Sequence, residues 1–328
     1  MINSKVLSVD KESLFEGKGY KILKKKESFL IADRKYALLS CFALTRRFFR
    51  AEITGLYVLK NGDRIAIAKK GLFLQKQGGK RFEKSFAIPR GSKPLNLCIA
   101  PSGKIFFGEY FQNMEKQAVN IYCSKDNAQT WNIAYTFAEG EINHIHGVFY
   151  DPFTNRIWVA TGDRENECII GYTDDEFLSF KEVFRGGQEY RTCQLFFYKD
   201  YVVFATDSQY ISNKIRSFDR ESFEIKTLAN IQGSAIKGGQ SVNVSFLSTS
   251  IEPSEVNTDP YAHVWLTKDG ILWHEVYSAK KDMLPSIFQF GTFEFPNYQS
   301  EIKDKFYFSG RALKGCGGKT ICIDISNL

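Results

Sequence analysis

The chain is predicted to be all-β, a six-bladed β-propeller, on three observations. Helical periodicity is almost absent. Short β-branched and aromatic runs alternate with Gly, Asp and Asn turns along the whole sequence. Hairpins of one pattern return roughly every 45 residues, the size of a four-stranded blade.

The elements follow in order. Residues 12–45 are strand-rich and hard to place, which keeps seven blades as an alternative. Residues 55–59 and 64–68 are two apolar runs joined through Asn61-Gly62, a hairpin turn signal. The same grammar recurs at 97–107, 147–160 and 194–205. First strands of the six blades are expected to begin near residues 50, 95, 143, 190, 242 and 293. The last repeat, with runs at 305–308 and 319–325, is one strand short. An N-terminal strand such as 19–23 would complete it and close the ring, which removes exposed sheet edges. The expectation is one propeller domain over 1–328.

Composition excludes several classes. The chain is 43% hydrophobic and 15% aromatic, enough to bury a large core, so wholesale disorder is ruled out. No run of about 18 apolar residues exists, so no membrane span is expected. Residues 1–10 lack an uninterrupted apolar stretch, so no signal peptide is expected either. The seven cysteines (41, 98, 123, 168, 193, 316, 322) are scattered and mostly lie in apolar runs. They read as buried free thiols of a reducing compartment, hence a cytoplasmic location. The net charge of +7 is modest, and clusters such as Lys24-Lys25-Lys26 and Arg46-Arg47 are short, so nucleic acid is not expected as a partner. Residues 315–320 lack the spacing of a phosphate loop and read as a turn. No cofactor is expected, and the chain is expected to be a monomer.

A second signal lies within the repeats. Residues 124–131 read S-x-D-x-A-x-T-W, and 173–180, 217–223 and 267–273 are looser copies. Their aspartates, at 126, 175, 219 and 269, are 44 to 50 residues apart. Ser, Thr and Asp side chains bond the backbone of tight turns, and the closing Trp or Phe is expected to pack between blades. The set resembles the Asp-box repeat, S-x-D-x-G-x-T-W, of sialidase-like β-propellers, with Ala128 where glycine is usual. That resemblance implies a carboxylate clamp of three arginines with carboxylate and tyrosine chemistry beside it. Arg50, Arg191 and Arg311 are the arginines placed to form it.

Propeller geometry sorts the remaining residues. Turns between third and fourth strands lie on one face and serve structure. The opposite face collects first-strand starts and second-strand ends. These supply Arg50, Asn96, His144, His146, Arg191 and Asn243, then Glu109, Tyr110, Asp163, Asp207 and Arg311. Polar groups converging on a channel mouth are the default site. Glu109, Asp163, His144 and His146 are assigned proton transfer. Arg50, Asn96, Tyr110, Arg191, Asp207, Asn243 and Arg311 are assigned substrate contact. His144 and His146, two apart on a strand, share a side. They could ligate a metal with a third ligand such as Glu109, Asp163 or Gln188, but no metal is assigned. His263 and His274 read as structural.

The expected function is recognition and cleavage of an anionic saccharide. Hydrolysis would use a carboxylate pair such as Glu109 and Asp163. Elimination would use His146 or Tyr110 as base. The alternative is a non-catalytic propeller scaffold that binds a glycan or protein. An enzyme requires the acids and imidazoles in one pocket, whereas a scaffold requires an exposed apolar patch.

Overall fold

A computed structural model describes residues 6–10, 15–17, 20–22, 34–40 and 42–328. The chain begins with β1 (Val6–Asp10), a hairpin of β2 (Phe15–Gly17) and β3 (Tyr20–Ile22), and two short helices, α1 (Arg34–Ser40) and α2 (Ala43–Phe48). Five antiparallel meanders follow. The first is β4 (Gly55–Val58), β5 (Arg64–Ala68), β6 (Gly71–Gln75) and β7 (Glu83–Ala87). The second is β8 (Cys98–Ile99), β9 (Ile105–Gly108), β10 (Val119–Ser124) and β11 (Asn132–Phe137). The third is β12 (His144–Tyr150), β13 (Ile157–Gly162), β14 (Ile169–Thr173) and β15 (Lys181–Arg185). The fourth is β16 (Thr192–Phe197), β17 (Tyr201–Thr206), β18 (Lys214–Asp219) and β19 (Ile225–Asn230). The fifth is β20 (Lys237–Gln240), β21 (Ser245–Ser248), β22 (Tyr261–Thr267) and β23 (His274–Lys280). In the sixth sheet β24 (Thr292–Glu294), β25 (Lys305–Arg311) and β26 (Thr320–Asp324) are completed by β1, in the order β1-β26-β25-β24.

This is the expected all-β fold with the six four-stranded sheets of a six-bladed β-propeller. Two compact units divide the chain. Residues 28–193 hold α1, α2 and the first three sheets; residues 1–27 and 194–328 hold the other three.

The N-terminal strand that completes the sixth sheet is Val6–Asp10, not 19–23; Tyr20–Ile22 instead pairs with Phe15–Gly17. Part of 19–23, the Lys24–Lys26 cluster and Cys41 lie outside the described residues. Two helices stand where strands were expected before residue 50. The fifth blade was also misread by one strand. Its first strand is Lys237-Gly238-Gly239-Gln240, with no apolar residue to signal it, so residues 244–248 form the second strand.

Burial is greatest in the second strands and least in the outermost ones. β9 and β13 are buried along their whole length. In β10, Val119, Ile121 and Cys123 face the core while Asn120 and Tyr122 are half-buried, the period-2 pattern of a strand with one covered face. β7, β11 and β15 are largely exposed.

The four repeated turns each join third and fourth strands, as expected. Ser124 Oγ donates to Asp126 Oδ1 at 2.8 Å and accepts from Ala128 N at 2.9 Å. Asp126 in turn accepts from Thr130 N at 2.9 Å and Thr130 Oγ1 at 2.6 Å. Thr173, Asp175 and Ser179 repeat this geometry. Ala128 sits at φ 63, the left-handed region that glycine enters freely. Three of the closing aromatics reach the preceding sheet, while Phe223 lies against Phe218 of its own. Trp131 packs on Phe86 and Phe107, Phe180 on Tyr135 and Phe137, and Trp273 on Phe196.

Candidate functional site

In the unit 28–193, β12 pairs with β13 so that His144 lies opposite Gly162. Asp163 follows directly, which brings its carboxylate to the two imidazoles from the same blade rather than from a neighbour. His146 Nε2 stands 3.1 Å from His144 Nε2 and 3.1 Å from Asp163 Oδ1. His144 Nε2 stands 3.3 Å from the same oxygen. Gly162 makes room for this: a Cβ there would lie 2.4 Å from His146 Cε1. Both histidines are buried, at 4% and 1% exposure, while the Asp163 side chain is 33% exposed. Arg191 Nη2 donates to Asp163 Oδ1 at 2.9 Å, and Asn143 Nδ2 to Oδ2 at 3.2 Å. Gln188 Nε2 holds the Asp163 backbone carbonyl at 2.7 Å. The Tyr110 ring lies against His144, with centroids 4.3 Å apart.

The electrostatics follow from burial and partners. Burial pushes the His144 imidazole below its ordinary value, and the bond to Asp163 only partly offsets it. Burial would raise the Asp163 carboxyl, but the two imidazoles beside it hold it far below the carboxylate range.

Other expected site residues are engaged elsewhere. Glu109 is buried and takes a two-pronged ion pair from Arg90, with Asn120 N donating to it at 2.9 Å. Asn96 is joined to the backbone of Val148, donating to its carbonyl at 2.8 Å and accepting from its N–H at 3.2 Å. Arg50 lies in an exposed turn after α2, at φ 52, and not on a first strand. In the unit that holds 194–328, Asp207 is buried at the end of β17. Asn243 lies in the β20–β21 turn and bonds the backbone of Ile302 at 2.8 and 2.9 Å. Arg311 is ion-paired with Glu294. His263 bonds Glu275 at 2.9 Å and Asp259 at 3.3 Å.

Thus His144, His146, Asp163, Arg191 and Tyr110 come together. Sequence reasoning missed Arg90 and Asn143, which no motif marks. It also missed a set of exposed apolar side chains on α1, α2 and their flanks. Leu38 is 67% exposed, Phe42 66%, Leu44 59%, Phe48 40% and Phe49 50%. The signal was present as aromatic residues interleaved with arginines at 42–50, but residues 12–45 read as strand-rich and Arg46-Arg47 as a short basic cluster.

No known family model matches the chain, and no curated protein matches it. Solved structures do. A TolB structure from Agrobacterium tumefaciens is 13% identical over 70% of this chain and 81% of its own, with a TM-score of 0.48. TolB from Acinetobacter baumannii is 12% identical, with a TM-score of 0.48, over 80% of this chain and 64% of its own.

With no family model matching, the sialidase-like assignment is corrected: what the chain shares with that family is the propeller fold and a local turn. The carbohydrate-cleaving function falls with it. Arg191 and Arg311 already pair with Asp163 and Glu294 of the chain itself, so no arginine trio stands ready for a sugar carboxylate. Among the described residues no helix is long and apolar enough to cross a membrane.

Proposed function

We propose that the chain is a non-catalytic β-propeller that binds a protein partner, and that the apolar surface of α1 and α2 is where the partner docks. The observation that carries this is the run of five exposed large apolar residues, Leu38, Phe42, Leu44, Phe48 and Phe49, within 12 positions. Contiguous exposed apolar surface marks interaction sites, and aromatic side chains in it make effective anchors. Exposed Lys35 and Arg50 flank the run, which suits a partner with an apolar groove and an acidic rim.

The carboxylates support the same reading. A general acid needs a proton to give near neutral pH. Asp163 is held ionised by the groups around it, Arg191 among them, and Glu109 is occupied by Arg90. Neither is placed to cleave a glycosidic bond.

The test is site-specific photo-crosslinking from position 42 or 44 in extract of the source cells, with adducts identified by mass spectrometry. One dominant protein adduct is expected, lost in Leu38→Asp. Absence of an adduct, or turnover of an acidic polysaccharide that Glu109→Gln or Asp163→Asn abolishes, overturns the proposal.

A further inference from the structure

We propose that His144, His146 and Asp163 bind one divalent transition-metal ion of the zinc or cobalt class. Three donor atoms converge without any side chain being moved. The edges of their triangle are 3.1, 3.1 and 3.3 Å. Ligands about 2.0–2.2 Å from such an ion, in tetrahedral or octahedral array, stand about 2.9–3.5 Å from one another.

The far side of each ring fixes the chemistry of the near side. His144 Nδ1 faces the Phe111 carbonyl at 2.9 Å, and His146 Nδ1 faces the Thr192 carbonyl at 3.1 Å. A carbonyl only accepts, so it calls for a hydrogen on His146 Nδ1, and at His144 Nδ1 the carbonyl at 2.9 Å is nearer than the Asn143 amide nitrogen at 3.2 Å and calls for one there too. In the neutral rings both Nε2 atoms then present lone pairs. Two lone pairs and a carboxylate oxygen face one another, on rings that are 4% and 1% exposed. Such a group is costly to bury unless a cation sits among the three. An Nδ1–H bonded to a backbone carbonyl is also the support that metal-binding imidazoles use.

The surroundings complete a built site. Asn143 Nδ2 and Arg191 Nη2 orient the Asp163 carboxylate. Its Oδ1 has two lone pairs and can take the guanidinium and a metal together. Asp163, one third exposed, gives the ion its way in and leaves room for water as a further ligand. His263 makes the contrast. Its two nitrogens face two separate carboxylates, of Glu275 and Asp259, and no second imidazole.

The test starts from chelator-treated full-length protein titrated with cobalt(II). One equivalent is expected, with visible d–d absorption and a raised melting temperature. Zinc should displace it. His144→Ala and His146→Ala should each weaken binding at least about 100-fold, and His263→Ala should leave it unchanged. If the alanine variants fail to fold, imidazole 15N shifts of the intact protein decide. Zinc should then move both Nε2 resonances and leave Nδ1 protonated. No saturable binding at millimolar cobalt, Nε2 shifts of a shared proton that zinc leaves in place, or binding that survives loss of both histidines overturns the proposal.

Discussion

The indole of Trp131 leaves its own turn and donates to Ser85 Oγ, on the preceding sheet, at 2.9 Å. The same Ser85 hydroxyl donates to the Ala128 carbonyl, so turn and neighbouring strand are tied twice. Trp131→Phe should keep most of the packing on Phe86 and Phe107 and lose the bond, about 1 kcal/mol. Trp131→Ala should cost about 2–4 kcal/mol. Urea unfolding measures both, and equal losses would show that the ring packing adds nothing beyond the bond.

The turn aspartates predict an acid response. The Asp126 carboxyl is held down at about 2 by bonds from Thr130, Ser124 and Gln129, which outweigh the opposing effect of burial. The Asp175 carboxyl is likewise at about 2, chiefly through Ser179 and Thr173. The folded values lie below the ordinary 3.8. As pH falls, the unfolded chain therefore takes up these protons first. Their contribution is full above about pH 5 and is lost as pH drops through 3.8 toward 2. Asp126→Asn with Asp175→Asn should flatten the fall of the urea midpoint between about pH 5 and pH 2. An unchanged slope would assign the acid response to other groups.

Asn96 and Val148 give a further prediction. Asn96→Ala leaves a buried N–H and carbonyl of β12 without their amide partner, at a cost of about 2 kcal/mol. Asn96→Asp restores the acceptor but not the donor and should fall between wild type and Ala. Hydrogen exchange at the Val148 amide should quicken in the Ala variant; unaltered protection there would contradict the role.

Gly162→Ala should disturb the histidine pair. The new methyl would meet a rigid ring at 2.4 Å, so His146 must turn and its bond to Thr192 must break. A loss of about 1–3 kcal/mol is expected, with a changed Nδ1 resonance of His146 in the NMR spectrum. A spectrum identical to wild type would mean that the backbone gives way instead.

The sheets were legible because apolar strand runs and Asp or Gly turns are local signals. The turn motifs were legible for the same reason, since Asp126 and Asp175 bond within four residues of themselves. β20 was not, because Lys237-Gly238-Gly239-Gln240 is held by pairing with β21 and not by burial of its own side chains. The site was half legible. His144, His146 and Asp163 meet because β12 and β13 pair in a register that the sequence suggests. That Glu109 would be taken by Arg90, 19 residues earlier, depends on how a loop returns, and no spacing encodes that.

The amide joint of Asn96 to Val148 has counterparts in Asn243 with Ile302 and Gln240 with Phe197. In each the recipient is a peptide group, which nearly every residue type offers alike. Such a joint reads no side chain on the receiving strand, so one carboxamide suffices to couple two repeats however far the receiving repeat's residues have drifted.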